Sequence, residues 1–281
     1  MVKLKNILLS IILLGGVCVI IGCTIDLFGL FGSNDLDKRL QEKDNFKFLS
    51  DADRNLLFGD EFSFLVLADT HIQDGNAHGL EKMKTVIDES KTAGGGKEIQ
   101  FAVFVGDITQ YGSRQDIQKF LDIAVLLGIP CYPVIGNHDI FLGNWPAWKD
   151  LIGSTRYRVN GGGATLFILD SANSFLGKNQ IDWLENGLKS AQGKVFVFSH
   201  DNLFVESPED IQQLSDTKER ARVMSVLQGR CDAMFTGHLH KEIMKEAGGV
   251  RYISVGGYEE KRAYCRVFVT KTGISYAFEK L

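Results

Sequence analysis

The sequence predicts an α/β domain over residues 60–281 of a 281-residue chain, and three observations carry that reading. Short apolar runs rich in Val, Ile and Phe alternate with segments of helical period, the pattern of βαβ units. The chain is 44% hydrophobic and 23% charged with only 4 Pro, a globular balance rather than a disordered or fibrous one. After His240 the helical period stops and strand-like runs remain, which suggests a second sheet.

Residues 62–68, 101–105, 131–135, 164–169, 195–198 and 233–235 read as strands. After the first, Leu80, Met83, Val86 and Ile87 share a helix face, and Gly94-Gly95-Gly96 stops it. Ser113 and Asp116 have the spacing of a capping box. Ile117, Phe120, Leu121 and Ala124 then follow at helical spacing until Gly128-Ile129-Pro130. Ile181, Leu184 and Leu188 mark a third helix; Val223, Val226 and Leu227 mark a fourth. The closing runs are 250–255, 265–270 and 273–279. Trp145 and Trp148 fall in a connection where they pack the domain or form a lid. Cys131, Cys231 and Cys265 sit in or beside apolar strands, where a thiol behaves as a small buried hydrophobe.

The amino terminus reads as an address. Lys3 and Lys5 precede a 16-residue, largely apolar run from Ile7 to Gly22. As a helix that run spans about 24 Å, short of a bilayer core of about 30 Å, so it fits a secretory signal better than a permanent span. It ends in Ile20-Ile21-Gly22-Cys23, which resembles the lipobox of bacterial lipoproteins. The resemblance implies a signal peptide over residues 1–22, cleavage before Cys23 and acylation of its thiol. The protein would then be an exported, membrane-anchored lipoprotein on the periplasmic or surface side of the cell envelope. Residues 23–59 read as a tether with one short exposed helix. A net charge of −4 argues against nucleic-acid binding through bulk electrostatics.

The chemistry is concentrated at strand ends. Asp69-Thr70-His71, Gly106-Asp107, Gly136-Asn137-His138-Asp139, Ser199-His200 and Gly237-His238-Leu239-His240 each follow an apolar run and hold five of the six His. In an open α/β sheet, the carboxyl ends of the strands form the ligand crevice. His78 lies elsewhere and reads as a surface residue. A set of imidazole nitrogens with carboxylate and amide oxygens suits Zn, Mn or Fe. Seven or eight candidate ligands exceed one tetrahedral ion, so two metals are implied. Tyr111 and Arg114 follow the Gly106-Asp107 loop and are weaker candidates for substrate contact, Arg114 reading first as a solvated helix residue.

The order D-x-H, GD, GNHD, H, GHxH resembles the calcineurin-like metallophosphoesterases over about Phe62 to His240. The resemblance implies a four-layer α/β/β/α sandwich with two central mixed β-sheets. It implies a first metal held by Asp69, His71, Asp107 and His240. A second would be held by Asp107, Asn137, His200 and His238. It also implies attack by a hydroxide shared between the ions, with His138 as proton donor and Asp139 orienting His138. The substrate would be a phosphate ester. The GNHD spacing and residues 169–188 are similar to the small bacterial branch that includes cyclic-nucleotide phosphodiesterases. That branch often carries a second His and prolines after the ligand at His200, where this chain has Asp201-Asn202-Leu203-Phe204. Diester hydrolysis is the resulting reading. A phosphomonoesterase uses the same metals, and a binding protein on this fold would be marked by missing ligands, whereas the set here is complete. Oligomeric state is left open.

Overall fold

Strand β1 (Phe62–Leu67) is buried along its whole length because both of its faces are covered. Phe64 and Val66 point into one apolar cluster, Leu65 and Leu67 into another, as the two-residue period of a strand requires. A strand covered on both faces reads as a continuous apolar run, which explains how plainly the sequence marks it. The computed structural model describes residues 35–43, 45–56, 59–92, 98–161, 163–204 and 212–281. The signal run, Cys23 and Gly94–Gly96 lie outside the described residues.

Around β1, one sheet takes β2 (Ile99–Val105) and β3 (Cys131–Val134) in parallel on one side. On the other side it takes β10 (Ala263–Thr270) and β11 (Gly273–Lys280) antiparallel, giving the order β11-β10-β1-β2-β3. The second sheet contains β4 (Tyr157–Asn160), β5 (Ala164–Ile168), β6 (Lys194–Phe198), β7 (Ala233–Thr236), β8 (Ile243–Ala247) and β9 (Val250–Ser254). Its order is β4-β5-β6-β7-β9-β8, parallel in the middle and antiparallel at both edges. The two sheets meet face to face through aromatic rings. Phe64 lies 4.7 Å from Phe101 in its own sheet, and 5.1 and 6.0 Å from Phe196 and Phe235 in the other.

Helices α3 (Met83–Lys91), α4 (Arg114–Leu127) and α5 (Trp145–Leu151) cover the outer face of the first sheet. Helices α6 (Gly177–Leu188) and α7 (Thr217–Leu227) cover the second. The architecture is the α/β/β/α sandwich expected. Trp148 is fully buried under α5 and so serves packing. The three strand cysteines are buried and free, and burial pushes their thiols up, out of reactive range.

Two expectations are corrected and two strands are added. The closing pair β10 and β11 extends the first sheet instead of forming a second. Edge strands β4 and β8 are not legible in the sequence, because β8 alternates half-buried with exposed residues and carries Lys and Glu. The capping box at Ser113 is half formed. Its hydroxyl caps the Asp116 N–H, while the Asp116 carboxylate takes the Gly75 N–H.

The largest correction concerns the tether. From Asp35 onward the segment is docked on the domain. Arg39, on α1 (Asp35–Gln41), is 1% exposed and grips both oxygens of Asp170 at 2.7 and 2.9 Å and Asn173 at 2.7 Å. Phe46 and Phe48 pack against the core, and the Asn45 carbonyl accepts the Ser154 N–H. The mixed charge of this stretch is therefore partly internal. Removing one partner of a buried ion pair strands the other, at a cost of about 3–5 kcal/mol. Arg39→Ala should lower the unfolding free energy by about that amount in a urea titration. A change within about 0.5 kcal/mol, typical of an exposed surface site, would return the segment to the role of a tether.

Candidate metal centre

The five strand-end loops meet at the seam between the two sheets. The first sheet brings Asp69, His71, Asp107, Asn137 and His138; the second brings His200, His238 and His240. Ligand-capable atoms of Asp69, His71 and His240 lie within 4.8 Å of one another, as do those of Asp107, His200 and His238. Each triad brings together three of the four residues expected for one site. His71, Asp107 and His138 also satisfy the same distance.

The loops are stitched together across the seam. The Asp69 carboxylate accepts the His238 N–H at 3.1 Å, and Asp107 Oδ1 accepts the His138 N–H at 2.8 Å. His200 Nδ1 meets the Val105 carbonyl at 2.9 Å. This approach needs glycine at 106 (φ +86°), since a Cβ there would stand 2.2 Å from His200 Nδ1. A Cβ at Gly136 would stand 2.3 Å from Asp107 Oδ1. Asp69, His71, Asp107, His238 and His240 are five of the nine non-glycine residues with positive φ among the described residues. Backbone strain of this kind concentrates at functional sites.

The nitrogen and oxygen lone pairs fit a cation. With its Nδ1 proton directed to Val105, His200 presents Nε2 to Asp107 Oδ2 at 3.2 Å and to Asn137 Oδ1 at 3.1 Å, both acceptors. His240 Nδ1 is held by Glu260 at 3.1 Å, which leaves Nε2 facing Asp69 Oδ1 at 3.4 Å. His71 is buried, and neither ring nitrogen has a hydrogen-bond partner among the described residues. Lone pairs aimed at acceptors require either a proton or a metal ion between them. The donor set therefore fits two divalent ions.

The titration directions follow from the charges crowded at this seam. Burial alone would lower His200, yet the Asp107 charge pushes it up to about 10. Burial would likewise lower His240, but its bonds to Asp69 and Glu260 push it up to about 9. Burial, then the neighbouring His200 charge, takes His238 down to about 3. Burial would raise Asp107, but the charges of His200 and His138 hold it well below the usual carboxylate range.

Asp139 does not orient His138, contrary to expectation. Its buried carboxylate is filled by the N–H groups of Ile108, Thr109 and Gly136 and by the Thr109 hydroxyl, at 2.8–3.2 Å. It clamps the loops after β2 and β3 together. Burial, then the Asp107 charge, pushes it up to about 6. The His138 ring is held instead by the Gln110 carbonyl, 2.9 Å from Nδ1. Arg114 pairs with Asp150 at the surface. His78 is partly buried, with Nε2 3.2 Å from the His71 carbonyl. Sequence reading missed Glu260 and Gln110. Glu260 lies in a one-turn helix, Tyr258–Lys261, that no motif marks, and Gln110 acts through its backbone.

The profile of the calcineurin-like phosphoesterases matches residues 62–242, and the chain belongs to that family of metal-dependent phosphoester hydrolases. A Fibrobacter succinogenes protein named "probable cyclic nucleotide phosphodiesterase" is 25% identical over 153 residues, 52% of this chain. The match spans 60% of that relative's length. Among solved structures, a dimetal phosphatase from Danio rerio superposes with a TM-score of 0.61 at 15% identity, covering 76% of this chain and 98% of that one. A purple acid phosphatase from yellow lupin gives 0.59 at 13% identity, covering 79% and 52%.

Proposed function

We propose that this chain is a two-metal phosphodiesterase carried at the cell envelope on lipidated Cys23. The observation that supports hydrolysis is the pair of ligand triads at one seam, two residues of each buried and the third half-buried. Two divalent ions there would lower the pKa of an attacking water and screen the phosphate charge. The chain's own residues supply the rest. Asp69, His71 and His240 hold one side, and Asn137, His200 and His238 hold the other. Glu260 and the Val105 carbonyl fix the ring orientations of His240 and His200. His138, its Nδ1 held by Gln110, can pass the proton on its other nitrogen to the departing alkoxide. Manganese, iron and zinc all suit this donor set. The diester reading draws on the Fibrobacter relative's name and on the GNHD spacing. A phosphomonoesterase with the same metals is the alternative.

No helix among the described residues is long and apolar enough to cross a membrane. Anchoring therefore rests on the lipobox-like run ending at Cys23. Mass spectrometry of the amino-terminal peptide from the native host should find Cys23 acylated and no longer joined to Gly22. An unmodified Gly22–Cys23 bond would remove the anchor from the account.

A general acid contributes about 10²–10⁴-fold, most for a basic leaving group. His138→Ala should keep its bound metal and lose about 10²-fold or more in kcat/KM on an alkyl diester, with a much smaller loss on a nitrophenyl diester. Equal losses on both, or loss of metal, would place His138 among the phosphate or metal contacts.

A further inference from the structure

Two aromatic side chains continue outward from His138 and take no part in the chemistry above. From the metal ligands outward, His71 and His138 have ring centroids 4.8 Å apart. His138 and Phe141 are 6.1 Å apart and within 18° of parallel, and Phe141 and Tyr111 are again 6.1 Å apart. The row runs from buried His71 to Tyr111, which is 42% exposed.

The rings are held by the loop that holds His138. Gln110, whose carbonyl meets His138 Nδ1, immediately precedes Tyr111. The Tyr111 carbonyl accepts Asn144 Nδ2 at 2.7 Å, tying it to the turn that carries Phe141. Gly112 (φ +63°) lies so near the Asp139 carbonyl that a Cβ would stand 2.3 Å from its oxygen. A ring carried on a pinned backbone needs less further ordering to bind a second ring. An alcohol without a ring gains little from such a surface, whereas a planar ring gains stacking on its whole face.

We propose that Tyr111 and Phe141 form a stacking platform for a planar ring borne by the departing alcohol of the ester, a nucleobase or an aryl group. Which end of the ester faces the platform rests on the hydrolase reading, through His138. The platform would make these two residues the specificity determinants of the organic half of the substrate.

Calorimetry on the full-length, manganese-loaded protein tests this with adenosine monophosphate, phenyl phosphate and glycerol 3-phosphate as ligands. The wild type should bind a ring-bearing phosphate about tenfold more tightly than glycerol 3-phosphate, within the range measured for base–aromatic stacking. Tyr111→Ala should erase most of that preference, and Tyr111→Phe, which keeps the ring and removes the hydroxyl, should retain it. Phe141→Leu, apolar but without a ring, should reduce it. Adenosine monophosphate ahead of phenyl phosphate marks a nucleobase; the reverse order marks an aryl group. Equal affinities in the wild type, or a preference untouched by Tyr111→Ala, would overturn the platform. A ring preference that survives in a protein hydrolysing no ester would refute the hydrolase reading and leave the platform standing.

Discussion

The carboxylate of Asp107 sits 2% exposed at the seam of two sheets, and the site is arranged around its two oxygens. Oδ1 takes the His138 N–H, while Oδ2 faces His200 Nε2 at 3.2 Å and His71 Nε2 at 4.0 Å. A buried carboxylate is tolerable only where positive charge and hydrogen bonds compensate it. The imidazoles around it supply that compensation when protonated, and a pair of divalent ions would supply more.

This constraint explains local features that otherwise look costly. Asp69, His71, Asp107, His238 and His240 hold positive φ, a conformation worth about 1–3 kcal/mol of strain each. Gly106 and Gly136 are needed because the loops after β2 and β3 approach a neighbouring side chain too closely for any Cβ. The aromatic contact between the sheets fixes the spacing on which these loops depend. Asp139 then ties two of the loops with four hydrogen bonds, so the position after His138 supports the scaffold rather than the proton.

The site was legible because β1, β2, β3, β6 and β7 are buried strands, and each ends abruptly in Asp, Asn or His. Their order along the chain is the order in which they reach the seam. What was not legible depends on partners distant in sequence. Arg39 looks like one charge in a solvated stretch until Asp170, 131 residues away, is beside it. Strands β4 and β8 lack a continuous apolar run because half-buried or exposed polar residues interrupt each of them. The closing strands gave no hint of which sheet they join, since an antiparallel pair fits either edge. The Asp139 role came with the family resemblance, whereas in this chain its carboxylate is already filled by donors from the two loops it ties.

In the proposed function Asp107 would belong to both ions and Asp69 to one. The direct measurement is bound manganese per chain, by elemental analysis after reconstitution and dialysis, for the wild type, Asp69→Asn and Asp107→Asn. Circular dichroism on each protein would show that it is folded. The arrangement predicts two ions in the wild type, one held after Asp69→Asn and neither held tightly after Asp107→Asn. A folded Asp107→Asn protein that keeps two ions, or a wild type that takes up only one, would contradict it.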